Sequence, residues 1–297
     1  MSLVDADLPG VWKNADEASR RGQQWTLRLT WFKVGAGVLA AFGAALSWSM
    51  GRVDIAAWVV LVGFLVALIS ELVLWVTLPE RLWYEGRAVA ESAKTLAWRY
   101  GIGADPFPID MSRSAAETKF RERMSTVADQ VADRVVFSDE QSVLTPAMDA
   151  LRARPFEERR AAYLEYRTRE QQRWYAQKAR TNRRQATGWR VALIVAEVIA
   201  VILAAGNVFG GWTVDLAGLL AALITAGTAW VAVKQFSPLA SAYSVATKEL
   251  NIQASKLATV AEEDWPFVAA DAEEAISREH TTWLASRTGR MVPRPDL

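Results

Sequence analysis

The chain reads as an all-α membrane protein: four transmembrane helices in two helical hairpins, with a cytosolic helical bundle. Three observations predict this. Val191–Val233 carries only two ionisable side chains, Glu197 and Asp215. At ~1.5 Å per helical residue that stretch is roughly 64 Å long, about two crossings of a hydrocarbon core ~30 Å thick. It is punctuated at its centre by Gly206, Asn207, Gly210 and Gly211, which reads as a turn. A second apolar stretch, Val34–Leu78, breaks in the same way at Met50–Asp54.

The 297 residues allow two modules, here 1–144 and 145–297, each with one membrane hairpin and its own polar helices. Lys plus Arg is 34 and Asp plus Glu is 33, so net charge gives no reason to expect a nucleic-acid partner. The absence of cysteine excludes disulfides, thiolate metal sites and a cysteine nucleophile. The lone histidine, His280, excludes a multi-histidine metal site. The first apolar segment follows about thirty polar residues and lacks a cleavage site, which reads as a membrane helix and not a removed signal.

Residues 14–33 read as a helix capped by Asn14, running into a first membrane helix at Val34–Met50. That helix is rich in small residues, and Ala36, Ala40 and Ala44, four apart, allow close backbone approach in lipid. Arg52 and Asp54 mark a tight external turn, and the second membrane helix, Ile55–Leu78, stops at Pro79. Trp48 and Trp58, then Trp31 and Trp75, stand near opposite interfaces as an aromatic belt. A helix resumes after Pro79 and stops at Gly101. GIGADPFPID reads as a loop, and Ser114–Phe137 as an amphipathic helix ended by Ser138-Asp139. Thr145-Pro146 opens another helix. Arg159–Gln185 forms a long charged helix feeding the third membrane helix, 190–206, and the fourth spans 212–234. Leu239–Glu263 and Val268–Arg287 follow as helices, with MVPRPDL as a frayed tail. Nothing reads as a confident strand.

Basic residues cluster on one side of both hairpins: Arg20, Arg21, Arg28 and Lys33; Arg81 and Arg87; Arg173 through Arg190; and Lys234. Positive flanks stay cytoplasmic. Both termini and the long middle segment are therefore expected inside, in a bacterial inner (cytoplasmic) membrane. A weak parallel repeat relates the halves. Asp54 and Asp215 occupy matching places at the outer start of each hairpin's second helix, where a carboxylate complements the helix dipole.

Thr145, Met148, Leu151, Arg152, Arg159, Tyr163, Arg167, Gln171, Trp174, Tyr175, Lys178, Ala179 and Asn182 form a spaced pattern ahead of a two-helix hairpin. Phe267-Val268, Glu274, Glu279-His280 and Trp283 follow it. This set resembles the SLATT superfamily, two-transmembrane effectors found beside nucleotide second-messenger synthases and nucleotide sensors in bacterial conflict systems. The N-terminal half resembles a sister branch through Ala15-Asp16, Ser19, Gln23, Arg87–Ser92, Trp98-Arg99-Tyr100 and Pro106-Phe107. The resemblance implies membrane perforation or channel formation on a nucleotide signal, and brings no catalytic residues. With no synthase or sensor domain in the sequence, a nucleotide would bind the helical cytosolic part or act through a sensor protein.

Glu71 and Glu197 each lie ~10 Å inside their helix's cytoplasmic end by the helical rise. A charge there costs ~2.5–3.5 kcal/mol on insertion scales, so it faces a bundle interior or an aqueous cavity. One reading is a carboxylate ring in an oligomer, favouring cations. The others are a Glu snorkelling or paired with Lys33 or Arg190, and a protonated Glu. Ala217, Ala221, Thr225 and Ala229 form a small-residue stripe on the fourth helix, suited to helix packing or to a pore wall or hydrophobic gate. Arg173, Lys178, Arg180, Arg183 and Arg184 are candidates for anion binding, though topology anchoring explains them as well. Gly101-Ile102-Gly103 follows a helix, so it is a helix stop and not a phosphate loop. No nucleophile–base–acid set is present, so no enzyme and no cofactor are expected. A lipid bilayer and a homo-oligomer are, since four helices, one of them short, cannot enclose an aqueous pore alone. The expectation is a gated, cation-conducting channel or pore-forming effector. A non-conducting scaffold is the alternative, and a transporter, lacking inverted repeats, is weaker.

Overall fold

The computed structural model describes residues 3–45, 49–50, 53–135, 142–210 and 215–288, with side chains to Ile276. Ten α-helices are present among them: α1 Gly10–Ala45, α2 Ile55–Thr77, α3 Pro79–Ile102, α4 Arg113–Asp129, α5 Pro146–Arg152, α6 Phe156–Tyr163, α7 Glu170–Gly210, α8 Leu216–Lys234, α9 Phe236–Thr259 and α10 Trp265–Thr288. A π-helical segment, Leu164–Arg169, joins α6 to α7 without a break. The extended residues are two short antiparallel strands, β1 Ser49–Met50 and β2 Val53–Asp54, paired Ser49 to Asp54 and Met50 to Val53.

The chain folds into two compact units that cut across the sequence halves. The first comprises Met1–Gln23, Glu80–Lys178 and Ala242–Leu297; the second comprises Gln24–Pro79 and Ala179–Ser241. Each half thus contributes its apolar hairpin to the second unit and its polar helices to the first.

In the first unit α3 is the central helix. Its Val89, Ala90, Ala93, Leu96, Ala97, Trp98 and Tyr100 are all buried. The small residues allow neighbours to approach closely, while the aromatics supply most of the buried area. Around α3 pack Trp12 and Ala15 of α1, Phe120 and Met124 of α4, Leu151 of α5, Tyr163 of α6 and Trp265 of α10.

In the second unit the apolar side chains face outward. On α7, Val191, Ile194, Val195, Val198, Ile199, Val201 and Ile202 are between 45% and 69% exposed, an arrangement that water would not tolerate and lipid favours. Trp31, Trp58 and Trp75 also face out; Trp48 lies outside the described residues. Close packing occurs instead through small residues. A Cβ on Gly63 would lie 2.8 Å from the Ala36 carbonyl oxygen and 2.9 Å from the Ala40 Cβ, and Gly43 packs as tightly on Ala56, Val59 and Val60. The α1 seam is therefore Ala36, Ala40 and Gly43; Ala44 is exposed. In the other hairpin Gly227 of α8 rests on Leu193 and Trp189 of α7.

Element boundaries differ from expectation in instructive ways. The first helix starts at Gly10, so Asn14 is internal and not a cap. Its described part runs to Ala45, and Met50, the expected end, is extended instead of helical; residues 46–48 lie outside the described residues. The third membrane helix continues through Gly206 and Asn207 to Gly210. An interior glycine costs only ~1 kcal/mol, less than unpaired backbone groups in lipid. The amphipathic helix α4 ends at Asp129 instead of Phe137, and Ser112 caps it; Ser138-Asp139 lies outside the described residues. So do the turn at Arg52, the turn at Gly211–Thr213 and the MVPRPDL tail. Thr145 precedes α5 as expected, but its hydroxyl donates to the Asp7 carbonyl at 2.7 Å instead of capping.

Among the described residues, three helical runs are long and apolar enough to cross a membrane: Ile55–Thr77, Phe156–Gly210 and Leu216–Thr259. The described apolar end of α1, Val34–Ala45, rises only about 18 Å, so four crossings are not established by length.

Candidate functional site

Glu71 and Glu197 have different surroundings. Glu71 pairs with Lys33 across the first hairpin, Nζ to Oε2 at 2.5 Å, with both side chains about half exposed (46% for Lys33, 55% for Glu71). Of the sequence alternatives, pairing with Lys33 is the one the geometry provides. Glu197 is exposed on α7, and no ion pair or hydrogen bond reaches it among the described residues. From Asn182 to Leu203 the half-buried positions of α7 are Asn182, Ala186, Trp189, Leu193, Ala196, Ala200 and Leu203. Glu197 lies off that seam, among the exposed valines and isoleucines.

On α8, Ala217 is half-buried while Ala221, Thr225 and Ala229 are exposed. The Thr225 hydroxyl donates to the Ala221 carbonyl at 2.9 Å, and Thr228 does the same to Ile224. The outward face of α8 is therefore small and weakly polar, while Gly227 lies on the packed side. Asp54 and Asp215 stand at the helix starts as expected, and each is also an N-cap: Asp54 accepts from the Ala57 N–H at 3.0 Å and Asp215 from the Gly218 N–H at 2.7 Å.

The basic candidates also separate. Arg173 pairs with Glu165 at 2.8 Å, and Lys178 lies 5.5 Å from the centre of the Trp174 ring. Arg180, Arg183 and Arg184 are exposed, and no carboxylate or ring meets them among the described residues.

Signature positions from Met148 to Arg167 line the first unit's interior. Arg152 donates to the carbonyls of Tyr100, Phe107 and Pro108 at 3.1, 2.6 and 2.7 Å. Arg159 donates to Ile102 at 2.6 Å, where the Trp265 indole N–H also donates at 3.0 Å. These groups clamp the bend after α3, where Gly103 has φ +73°, a left-handed conformation that glycine permits. Burial pushes the pKa of both arginines down from the usual value, Glu262 opposing it at Arg159 and Tyr100 and Asp149 at Arg152. Arg167 reaches Glu273 through two hydrogen bonds of 2.8 Å, Tyr163 donates to Glu273 at 3.0 Å and Thr95 at 2.9 Å. Burial opposes the Arg167 charge, but the Glu273 charge and hydrogen bonds raise its pKa overall. Arg87 bridges Glu91 at 2.6 Å and Asp16 at 3.6 Å.

Glu273 was not singled out by sequence reasoning; its neighbour Glu274, only half-buried, was. The available signal was an acid inside the stripe Trp265, Ala269, Ala272, Ile276 of α10. The backbone of α10 carries Glu279, His280 and Trp283, whose side chains lie outside the described residues. Above Arg99, an open cleft of about 540 Å³ is lined also by Pro106, Lys119, Phe267, Asp271 and Glu274.

Helices of membrane-crossing length with outward apolar side chains define an all-helical membrane protein. The chain belongs to the SLATT family. Residues 9–160 match SMODS and SLOG-associating 2TM effector domain 3, and residues 163–283 match SMODS and SLOG-associating 2TM effector domain 1. No curated protein and no solved structure matches it.

Proposed function

We propose that this protein is an oligomeric membrane channel or pore-forming effector, cation-conducting and gated through its first unit. In this reading the protein lies in a bacterial inner membrane, with the first unit and both termini on the cytoplasmic side. The apolar end of α1 completes a fourth crossing beside α2. A two-transmembrane effector family associated with SMODS and SLOG supports an effector role, with a nucleotide signal or a sensor protein as the trigger. No nucleic acid takes part.

The observation that carries the proposal is Glu197, a carboxylate exposed on the apolar face of α7 with no partner among the described residues of its own chain. Lipid does not solvate such a group, so it faces water or another subunit. A closed ring of copies supplies both, and a ring of carboxylates favours cations. Glu71, held by Lys33, is the weaker candidate. The outward face at Ala221, Thr225 and Ala229 is then the small-residue surface between subunits or along the pore.

The test is ion flux in proteoliposomes containing the full chain. Glu197→Gln is expected to reduce cation preference while the oligomer, sized in detergent, persists. Glu71→Gln is expected to change it less. Unaltered selectivity in the Glu197→Gln protein would remove the ring. A non-conducting scaffold is the second reading, favoured by Phe267, 69% exposed at the rim of the cleft where a partner would cover it. Assembled particles that pass no ions would select it.

A further inference from the structure

We propose that the exposed arginine face of α7 is a binding site for the phosphate groups of anionic phospholipids, with Arg180, Arg183, Arg184 and Arg190 as its ligating side chains. This rests on the membrane reading of the second unit, but not on conduction.

The four residues share one side of the helix. At ~100° per residue they fall within an arc of about 120°. All four are exposed, and among the described residues no carboxylate, carbonyl or ring meets them. Arginines immediately upstream are different: Arg167 is held by Glu273, and Arg169 and Arg173 both by Glu165. No acid occurs between Glu170 and Glu197, so the local helix offers this face no counter-ion.

Position supplies the counter-ion's identity. The outward apolar surface of α7 begins at Val191, next to Arg190. By the helical rise Arg184 and Arg183 stand about 10–12 Å outside that level and Arg180 about 16 Å. Headgroup regions add roughly 5–8 Å on each side of the hydrocarbon, and arginine stems bend toward the interface. Phosphates at that depth lie within reach of Arg183, Arg184 and Arg190, with Arg180 outermost. The surface is a convex helix face, which suits a layer of headgroups better than an enclosed soluble ligand.

Residue type separates recognition from topology. Any positive charge keeps a flank inside, so lysine serves topology as well as arginine does. Phosphate recognition differs, because the planar guanidinium donates two parallel N–H bonds to one phosphate, whereas an ammonium acts as a point charge. All four of these cations are arginines, while the lysine of the stretch, Lys178, is engaged by Trp174.

The experiment compares the full chain with a variant in which all four arginines become lysine, which preserves charge and insertion. Each is titrated in mild detergent with the phosphatidylglycerol POPG or the phosphatidylcholine POPC. Bound lipid is counted by native mass spectrometry, and stabilisation is read from the thermal midpoint. The wild type is expected to prefer POPG by about tenfold or more, at ~1 kcal/mol per basic residue near anionic lipid, and the lysine variant, which keeps that charge, to bind POPG several-fold more weakly for want of the two-bond fork. A lysine variant that binds POPG as tightly as the wild type would reduce the effect to charge alone and overturn the site, as would equal binding of the two lipids by the wild type. Abolition of the POPG preference by inorganic phosphate would reassign the site to soluble anions. A chain that remains dispersed without detergent would instead defeat the membrane reading itself.

Discussion

Arg167 and Glu273 meet inside the first unit as a two-bond fork, their side chains 1% and 0% exposed. They lie 106 residues apart in sequence and tie the π-helical segment before α7 to α10. Tyr163 and Thr95 complete the carboxylate's partners. Removing one member leaves the other charged and buried, which costs about 3–5 kcal/mol, whereas replacing both by apolar groups costs far less than the sum. Arg167→Met and Glu273→Leu are each expected to destabilise by that amount, and the double substitution by clearly less than their total. Denaturation midpoints in mild detergent measure this; additive losses would mean that the two side chains do not act as a pair.

Tyr163 adds a dependence on alkaline pH. Burial pushes its hydroxyl well above the ordinary pKa of 10.0, and the Glu273 charge adds to the shift. The folded protein keeps a proton that the unfolded chain releases above about pH 10. The contribution is therefore intact below that pH and declines as pH rises beyond it, by ~1.4 kcal/mol per pH unit for one group. Tyr163→Phe is expected to be less stable at neutral pH and to lose stability less steeply above pH 10. Parallel slopes for the two proteins would show that Tyr163 does not titrate in this way.

Local chemistry was legible in the sequence, and long-range partners were not. Asp54 and Asp215 each precede an apolar run, so both were readable as carboxylates at a helix start, where the structure adds a capping hydrogen bond. The break before Pro79 was readable because proline cannot continue the preceding turn. Gly206 misled because its helix cost is small beside the demand for backbone hydrogen bonds in lipid. Glu273 was hidden because its partners Arg167, Tyr163 and Thr95 come from distant helices. Glu71 and Glu197 read alike because depth along a helix is visible in sequence, while the identity of the residue opposite is not. Only packing of α1 on α2 gives Lys33 to one and leaves the other without it.

The first hairpin gives a sharper test of packing. Gly63 leaves no room for a side chain, since its Cβ would lie 2.8 Å from the Ala36 carbonyl and 3.0 Å from the Ala40 backbone nitrogen. At Gly35 and Gly37, on the same α1 stretch, an added Cβ would meet nothing within 4 Å. Gly63→Ala is expected to destabilise the hairpin by about 1–3 kcal/mol through overpacking against backbone. Gly35→Ala and Gly37→Ala are expected to be neutral or stabilising by up to ~1 kcal/mol, from helix propensity. Thermal midpoints in detergent rank the three variants; equal effects would mean that α1 and α2 do not meet at Gly63.

A matching feature ends both apolar hairpins. Leu78, after α2, has φ +43°, and Gln235, after α8, has φ +51°. Each closes its helix with its own N–H, Leu78 to the Leu74 carbonyl at 3.1 Å and Gln235 to the Val231 carbonyl at 2.9 Å. A left-handed conformation costs a residue with a Cβ roughly 1–2 kcal/mol, and glycine escapes that cost while losing ~0.5–1 kcal/mol to its freer unfolded chain. Glycine at either position is therefore expected to be neutral or slightly stabilising. Isoleucine, whose branched Cβ fits the left-handed region worst, is expected to destabilise by about 1–2 kcal/mol at both. Thermal midpoints of the four single variants decide the matter. Isoleucine tolerated as well as glycine at Leu78 and Gln235 would show that neither residue holds the left-handed conformation that ends its hairpin.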